Sequence, residues 1–210
     1  MNTEHYRSVR DRLQLHKSLP VTPEWSAAPD FLHRIIDHCL EHRPSSVLEC
    51  SSGLTTLALA RCCQINNSGH VHSLENGAEF AAATCAALEE YGLDKYATVL
   101  HAPLEDVTLH AVNYRWYSRH RLPAGRFNML VIDGPSGYLQ RHSRYPALPL
   151  LYNRLADDCS VFLDDAARED EKEIIALWLG EFPSFEHEYI DLERGCSILQ
   201  RHSRRRQSDS

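Results

Sequence analysis

The chain lacks any long hydrophobic run. No apolar stretch approaches the roughly 20 residues needed to cross a bilayer, so no membrane-spanning helix and no membrane partner are expected. The opening Met1-Asn2-Thr3-Glu4-His5-Tyr6-Arg7 has no apolar core, and a secretory leader is not expected either. Positive charge is not in excess. The formal net charge of -7 argues against general nucleic-acid affinity. Paired cysteine spacing is missing too. The 7 Cys are an odd number, and Cys62 and Cys63 are neighbours, too close for an ordinary disulfide. A reduced, cytoplasmic protein with buried cysteines follows. The 13 His are scattered, and His70 and His72 share one strand face with no third metal ligand nearby. There is no internal repeat and no linker, so the 210 residues suit one sizeable α/β domain.

What is present is alternation. Residues 4–18 carry a thin apolar stripe of Val9, Leu13 and Leu15 and predict a helix, stopped by Pro20 and Pro23. A second helix begins at Pro29, with Phe31, Leu32, Ile35, Ile36, Cys39 and Leu40 at helical spacing, and ends at Pro44. Strands are then predicted at 47–50, 70–74, 97–101, 127–132 and 160–163. Helices are predicted at 54–64, 78–91, near 146–155 and at 168–180. Two last strands, 185–191 and 195–200, flank Glu193-Arg194-Gly195 and read as an antiparallel hairpin. Near-continuous apolar strands separated by helices predict a doubly wound, mostly parallel sheet of seven strands with helices on both faces. The expected divisions are an N-terminal helix and lid segment at 1–28, a main domain at 29–201 and a polar, disordered tail at 202–210.

The most informative stretch is Val47-Leu48-Glu49-Cys50-Ser51-Ser52-Gly53-Leu54-Thr55-Thr56. It is a short strand ending in an acid, a turn through small residues, and a helix start. Such a turn lets a ligand approach the backbone, and the helix start offers unpaired N–H groups. Glu75 follows Gly53 by 22 residues, near the spacing of an acid that accepts hydrogen bonds from ribose hydroxyls. That spacing suits a nicotinamide dinucleotide as well as S-adenosylmethionine, and the loop separates them. Pyrophosphate needs three glycines in G-x-G-x-x-G, and only Gly53 is here. Hydroxyls and backbone N–H groups suit a carboxylate instead, with Glu49 either near the ammonium or fixing the loop.

These ten residues resemble the first motif of class I S-adenosylmethionine-dependent methyltransferases, within them a bacterial branch that reads E-x-G-S-G-x-S-T. His72-Ser73-Leu74-Glu75 is similar to the second motif. His101-Ala102-Pro103-Leu104, Leu130-Val131-Ile132-Asp133-Gly134-Pro135 and Phe162-Leu163-Asp164-Asp165-Ala166 resemble later strand ends. The resemblance covers about Trp25 to Arg201 and departs at Ser51, where the family has glycine. It implies a Rossmann-like fold that binds S-adenosyl-L-methionine. The cofactor-binding residues it implies are Trp25 (as a lid), Glu49, Cys50, Ser51, Ser52, Gly53, Thr55, Thr56, Glu75, Asn76, Ala102, Pro103, Leu104, Asp133 and Gly134.

It also implies methyl transfer to a small-molecule acceptor, most readily a hydroxyl of a sugar-like or other metabolite. Asp133, Asp164 and Asp165 would converge at adjacent strand ends, an arrangement similar to the Mg²⁺ ligands of catechol-type O-methyltransferases. There Asn stands in place of Asp165 and a lysine in place of Ser136. Asp133 and His142 are the candidate proton acceptors. Arg141 and Arg144 are candidates to clamp an anionic acceptor. Tyr114, Trp116 and Tyr117 would form an acceptor wall or the contact of a homo-oligomer. The competing expectations are a binding protein that kept the fold without catalysis, and an NAD-dependent oxidoreductase.

Overall fold

A computed structural model describes residues 5–23 and 25–202. All of the tail expected at 202–210 except His202 lies outside the described residues, as do residues 1–4 and 24. The described elements in chain order are α1 (His5–Arg12), α2 (Pro29–His42), β1 (Val47–Cys50), α3 (Leu54–Asn66), β2 (Val71–Glu75), α4 (Ala78–Glu90), β3 (Ala97–His101), β4 (Leu104–Leu109), β5 (Val112–Tyr117), β6 (Phe127–Ile132), α5 (Ala147–Leu151), β7 (Leu155–Asp164), α6 (Glu169–Glu181), β8 (Glu186–Ile190) and β9 (Cys196–Arg201). None of these helices is long and apolar enough to cross a membrane.

Seven strands form one sheet in the order β3-β2-β1-β6-β7-β9-β8. The first five are parallel, and β9 lies antiparallel to both β7 and β8. The expected seven-stranded Rossmann-like sheet with a terminal antiparallel hairpin is therefore what forms. Its strand order reverses between β1 and β6, and in such sheets ligands lie beyond the carboxyl ends of the strands at that reversal. β1 and most of β6 are buried because α3 covers one face and α5, α6 and the β4–β5 hairpin enclose a second core on the other. Ala58, Ala60, Cys62 and Cys63 keep α3 slim enough to pack closely. The cysteines are free, and all but Cys85 are buried.

Three expectations are corrected. The first helix ends at Arg12, not near residue 18. Gln14 turns left-handed at φ 52 and the Leu15 N–H returns to the Arg10 carbonyl at 3.1 Å, a closed helix end. The helix expected near 146–155 forms as α5 followed by a 3₁₀ turn at Tyr152–Arg154, and it is the next strand that differs, since β7 begins at Leu155 and not at residue 160. Its register shifts between Phe127 and Met129, which absorbs the polar Ala156-Asp157-Asp158 stretch. The segment 104–117 is a two-stranded hairpin, β4 and β5. It buries Tyr114, Trp116 and Tyr117 within the chain, so these aromatics offer no subunit surface.

Candidate functional site

The end of β1 is organised around one carboxylate. Glu49 is 0% exposed and accepts hydrogen bonds from the Thr55, Thr56 (2.6 Å) and Ser73 (2.5 Å) hydroxyls. Burial pushes its pKa up, to about 7, and the three hydroxyls oppose that rise. Glu49 therefore ties the loop to the first turn of α3 and to β2, and it does not reach the cavity described below. Cys50 and Thr56 are likewise buried away from that cavity. The loop between them is conformationally unusual. Ser51 has φ 111 and Gly53 has φ 136. A side chain on Gly53 would project into open space, which is room for a ligand against the backbone. Ser51, Ser52, Gly53, Leu54 and Thr55 all border the cavity.

Next along the rim, Glu75 accepts from the Ser52 hydroxyl and the Gly77 N–H, both at 2.9 Å. It faces the cavity with Asn76 and the exposed Phe80. Trp25, expected as a lid, is 69% exposed at the mouth of the same cavity. Ala102, Pro103 and Leu104 do not line it. The Ala102 N–H is bonded to the Glu75 carbonyl at 2.7 Å, and the Pro103 carbonyl to Ser118 at 2.9 Å, so this segment launches the hairpin. That hairpin brings in Tyr117, one of the three aromatics expected in an acceptor wall and the one of them that borders the cavity. A Cβ on Gly134 would stand 2.5 Å from the Tyr117 hydroxyl, so glycine is needed there for the approach. Burial raises the Tyr117 pKa well above its ordinary value and keeps the phenol protonated.

At the ends of β6 and β7 the expected carboxylates do come together. One oxygen from each of Asp133, Asp164 and Asp165 lies within 4.8 Å of the others. Arg144 enters the same space, 3% exposed. Its Nη2 is 3.3 Å from Asp133 Oδ1 and 2.9 Å from Asp165 Oδ2. Arg168 Nη1 is 2.9 Å from Asp165 and Arg194 Nη1 is 3.8 Å away. Burial raises the Asp133 pKa well above the carboxylate range, Asp164 adds to the rise, and Arg144 opposes it. Asp164 is raised to about 6, again chiefly by burial. Asp164 Oδ2 and Asp165 Oδ1 are buried without a hydrogen-bond partner. Arg144 donates to Asp133 Oδ1 and Asp165 Oδ2, and a guanidinium so placed does not fit a divalent cation bridging those two oxygens.

Arg144 is therefore committed inside the protein and is not free to clamp an acceptor, and Arg141 bonds Glu173 at 2.6 Å. His142 is brought to a different surface. Its Nε2 pairs with Glu173 at 2.5 Å, its backbone N–H donates to Asp170 at 2.8 Å, and it does not line the cavity. The cavity itself measures about 390 Å³ and runs from Ser51, Glu75 and Phe80 to Asp133, Arg144 and Asp165, with the 92% exposed Tyr138 on its rim. Of the residues sequence alone left out, Arg168 carried a signal: it stands three residues after Asp165, the spacing of a helical ion pair.

The family model described as "Methyltransferase domain" matches residues 48–166, and the chain belongs to that family. Among solved structures, the fold is similar to the methyltransferase PaMTH1 of Podospora anserina with SAH bound. That pair has a TM-score of 0.65 at 15% identity, over 94% of this chain and 86% of that one. An O-methyltransferase from Bacillus cereus in complex with SAH gives 0.65 at 13% identity, over 96% and 92%. The O-methyltransferase TomG of Streptomyces achromogenes in complex with SAM gives 0.61 at 12%, over 96% and 91%. No curated protein matches in sequence.

Proposed function

We propose that the protein transfers the methyl group of S-adenosylmethionine to a hydroxyl of a small molecule. The observation that carries this is the continuity of the cavity. The loop after β1 and Glu75 form one end, and Asp133 lies at the other, across the strand-order reversal. S-adenosylmethionine, when bound, supplies a methyl carbon activated on sulfur. Glu75 accepts the ribose hydroxyls, and the backbone of Ser52–Thr55 at the start of α3 receives the carboxylate. Asp133 takes the acceptor's proton, because its carboxylate borders the cavity and the Arg144 guanidinium beside it favours the ionised form. The rim aromatics Trp25 and Tyr138 cover the acceptor and exclude water. The O-methyltransferases among the structural neighbours support oxygen as the receiving atom. The geometry at Arg144 leaves the divalent cation out of the proposal.

Incubation with methyl-labelled S-adenosylmethionine and a panel of phenols, catechols and polyols tests the proposal. Label is expected in an ether product of at least one member, with Asp133→Asn suppressing it. Label appearing only in amine or thiol acceptors would move the receiving atom. Absence of product together with absence of S-adenosylmethionine binding would remove the enzyme altogether.

A further inference from the structure

Arg144 does at the ends of β6 and β7 what a bound cation would do there. Its Nη1 donates to the Asp164 carbonyl at 2.9 Å and its Nη2 to the Asp133 carbonyl at 3.0 Å, so one guanidinium joins two neighbouring strand ends. The same Nη2 reaches the side chains of Asp133 and Asp165, and Nη1 lies 3.7 Å from Glu171. The segment carrying it is held on both sides. The Ser143 hydroxyl is bonded to the Ser136 carbonyl at 2.9 Å, and Trp178 Nε1 to the Tyr145 carbonyl at 2.9 Å. Ser143 and Tyr145 are both buried, so the side chain is delivered inward by its backbone.

Charge leads to the same place. Four acids meet here, Asp133, Asp164, Asp165 and Glu171, and three arginines, Arg144, Arg168 and Arg194, stand among them. A divalent ion bridging Asp133 and Asp165 would sit against the Arg144 guanidinium in a water-poor site, where like charges repel strongly. We infer that Arg144 is the resident cation of this site: it stands where a divalent metal would bridge the aspartates, and it positions Asp133 for proton transfer in a metal-independent reaction. The proton-transfer half rests on the methyl-transfer proposal above; the exclusion of a metal does not.

Mn²⁺ is the probe, because its paramagnetic resonance distinguishes free from bound ion. Titrated into the wild-type chain with S-adenosylhomocysteine present, Mn²⁺ is expected to stay free at millimolar concentration, and a chelator is expected to leave melting and turnover unchanged. Uptake of one equivalent by the wild type, abolished by Asp165→Asn, would overturn the inference. Arg144→Met, folded by circular dichroism, is expected to gain uptake of one Mn²⁺ and to melt a few degrees higher with it. A folded variant that takes up none overturns the claim that the guanidinium holds the cation's place. Where that variant does not fold, Arg144→Lys replaces it. The point charge is expected to exclude Mn²⁺ yet lower kcat at least tenfold without raising KM to match, whereas unchanged kcat overturns the positioning role. Heat of S-adenosylhomocysteine binding, read in parallel, tests the methyl-transfer proposal separately. Its absence would defeat that proposal while the Mn²⁺ result for the wild type still stood.

Discussion

Glu49 and Asp165 are both buried carboxylates at the carboxyl edge of one sheet, and the protein satisfies them in opposite ways. Glu49 meets only neutral donors, the hydroxyls of Thr55, Thr56 and Ser73. Asp165 meets cations, Arg144, Arg168 and Arg194. Hydroxyls can turn to suit either protonation state of an acid, so Glu49 gains a proton readily and serves the shape of a loop. Guanidiniums donate only, and the charges around Asp165 are fixed. One end of the cavity is thus built for geometry and the other for electrostatics. A methyl transfer needs both, since a cofactor must be aligned and an acceptor proton must find a base.

Removing the base should give the largest effect. Asp133→Asn is expected to lower kcat by roughly 10²–10⁴-fold, the range of a positioned proton acceptor, with the melting temperature little changed. A loss in KM alone would place Asp133 in binding instead. The neutral end should respond to pH. Glu49 has a folded pKa of about 7, above the unfolded value. Its protonated form therefore favours the fold below pH ~4.5, and that contribution is lost as pH rises through ~7, with a total of roughly 3 kcal/mol. Glu49→Gln does not titrate. Its stability relative to wild type should improve by about that amount between pH 4.5 and 7.5 in denaturant melts and stay level above. A pH-independent difference would show that Glu49 is ionised throughout.

Smaller effects sharpen the contrast. Ser51 holds φ 111, a backbone region that favours glycine. Ser51→Gly should relieve strain of about 1 kcal/mol and tighten S-adenosylhomocysteine binding a few-fold, as read by calorimetry. Weaker binding would mean that the Ser51 side chain, which borders the cavity, contacts the ligand. His142→Ala should change turnover least, less than about twofold, because its ring is tied to Glu173 in a half-buried pair that lies outside the cavity. A large loss would return His142 to the reaction.

The geometric end was legible in the chain because it is contiguous. Glu49, Thr55 and Thr56 lie within eight residues, and strand, turn and helix each announce themselves. The electrostatic end is assembled from loops at 144, 168 and 194, and no local pattern says that an arginine will turn inward. The β4–β5 hairpin hid for a different reason. Its turn is His110-Ala111, with φ 48 and 64, so two ordinary residues hold the left-handed turn that Asn-Gly usually marks. Without that signal Tyr114, Trp116 and Tyr117 point only to an acceptor wall or a subunit contact, and nothing local places the Tyr117 hydroxyl beside Gly134. His142 was legible as chemistry and not as position, since its ring depends on α6 residues thirty positions away.

The central claim is that S-adenosylmethionine lies between the β1 loop and Glu75. Calorimetric titration of the wild type with S-adenosylhomocysteine, repeated on Glu75→Ala, tests it most directly. One molecule should bind per chain, and the variant, still folded, should bind at least tenfold more weakly because the ribose hydroxyls lose their acceptor. Absence of heat with the wild type, or equal affinity in the two proteins, would contradict the account.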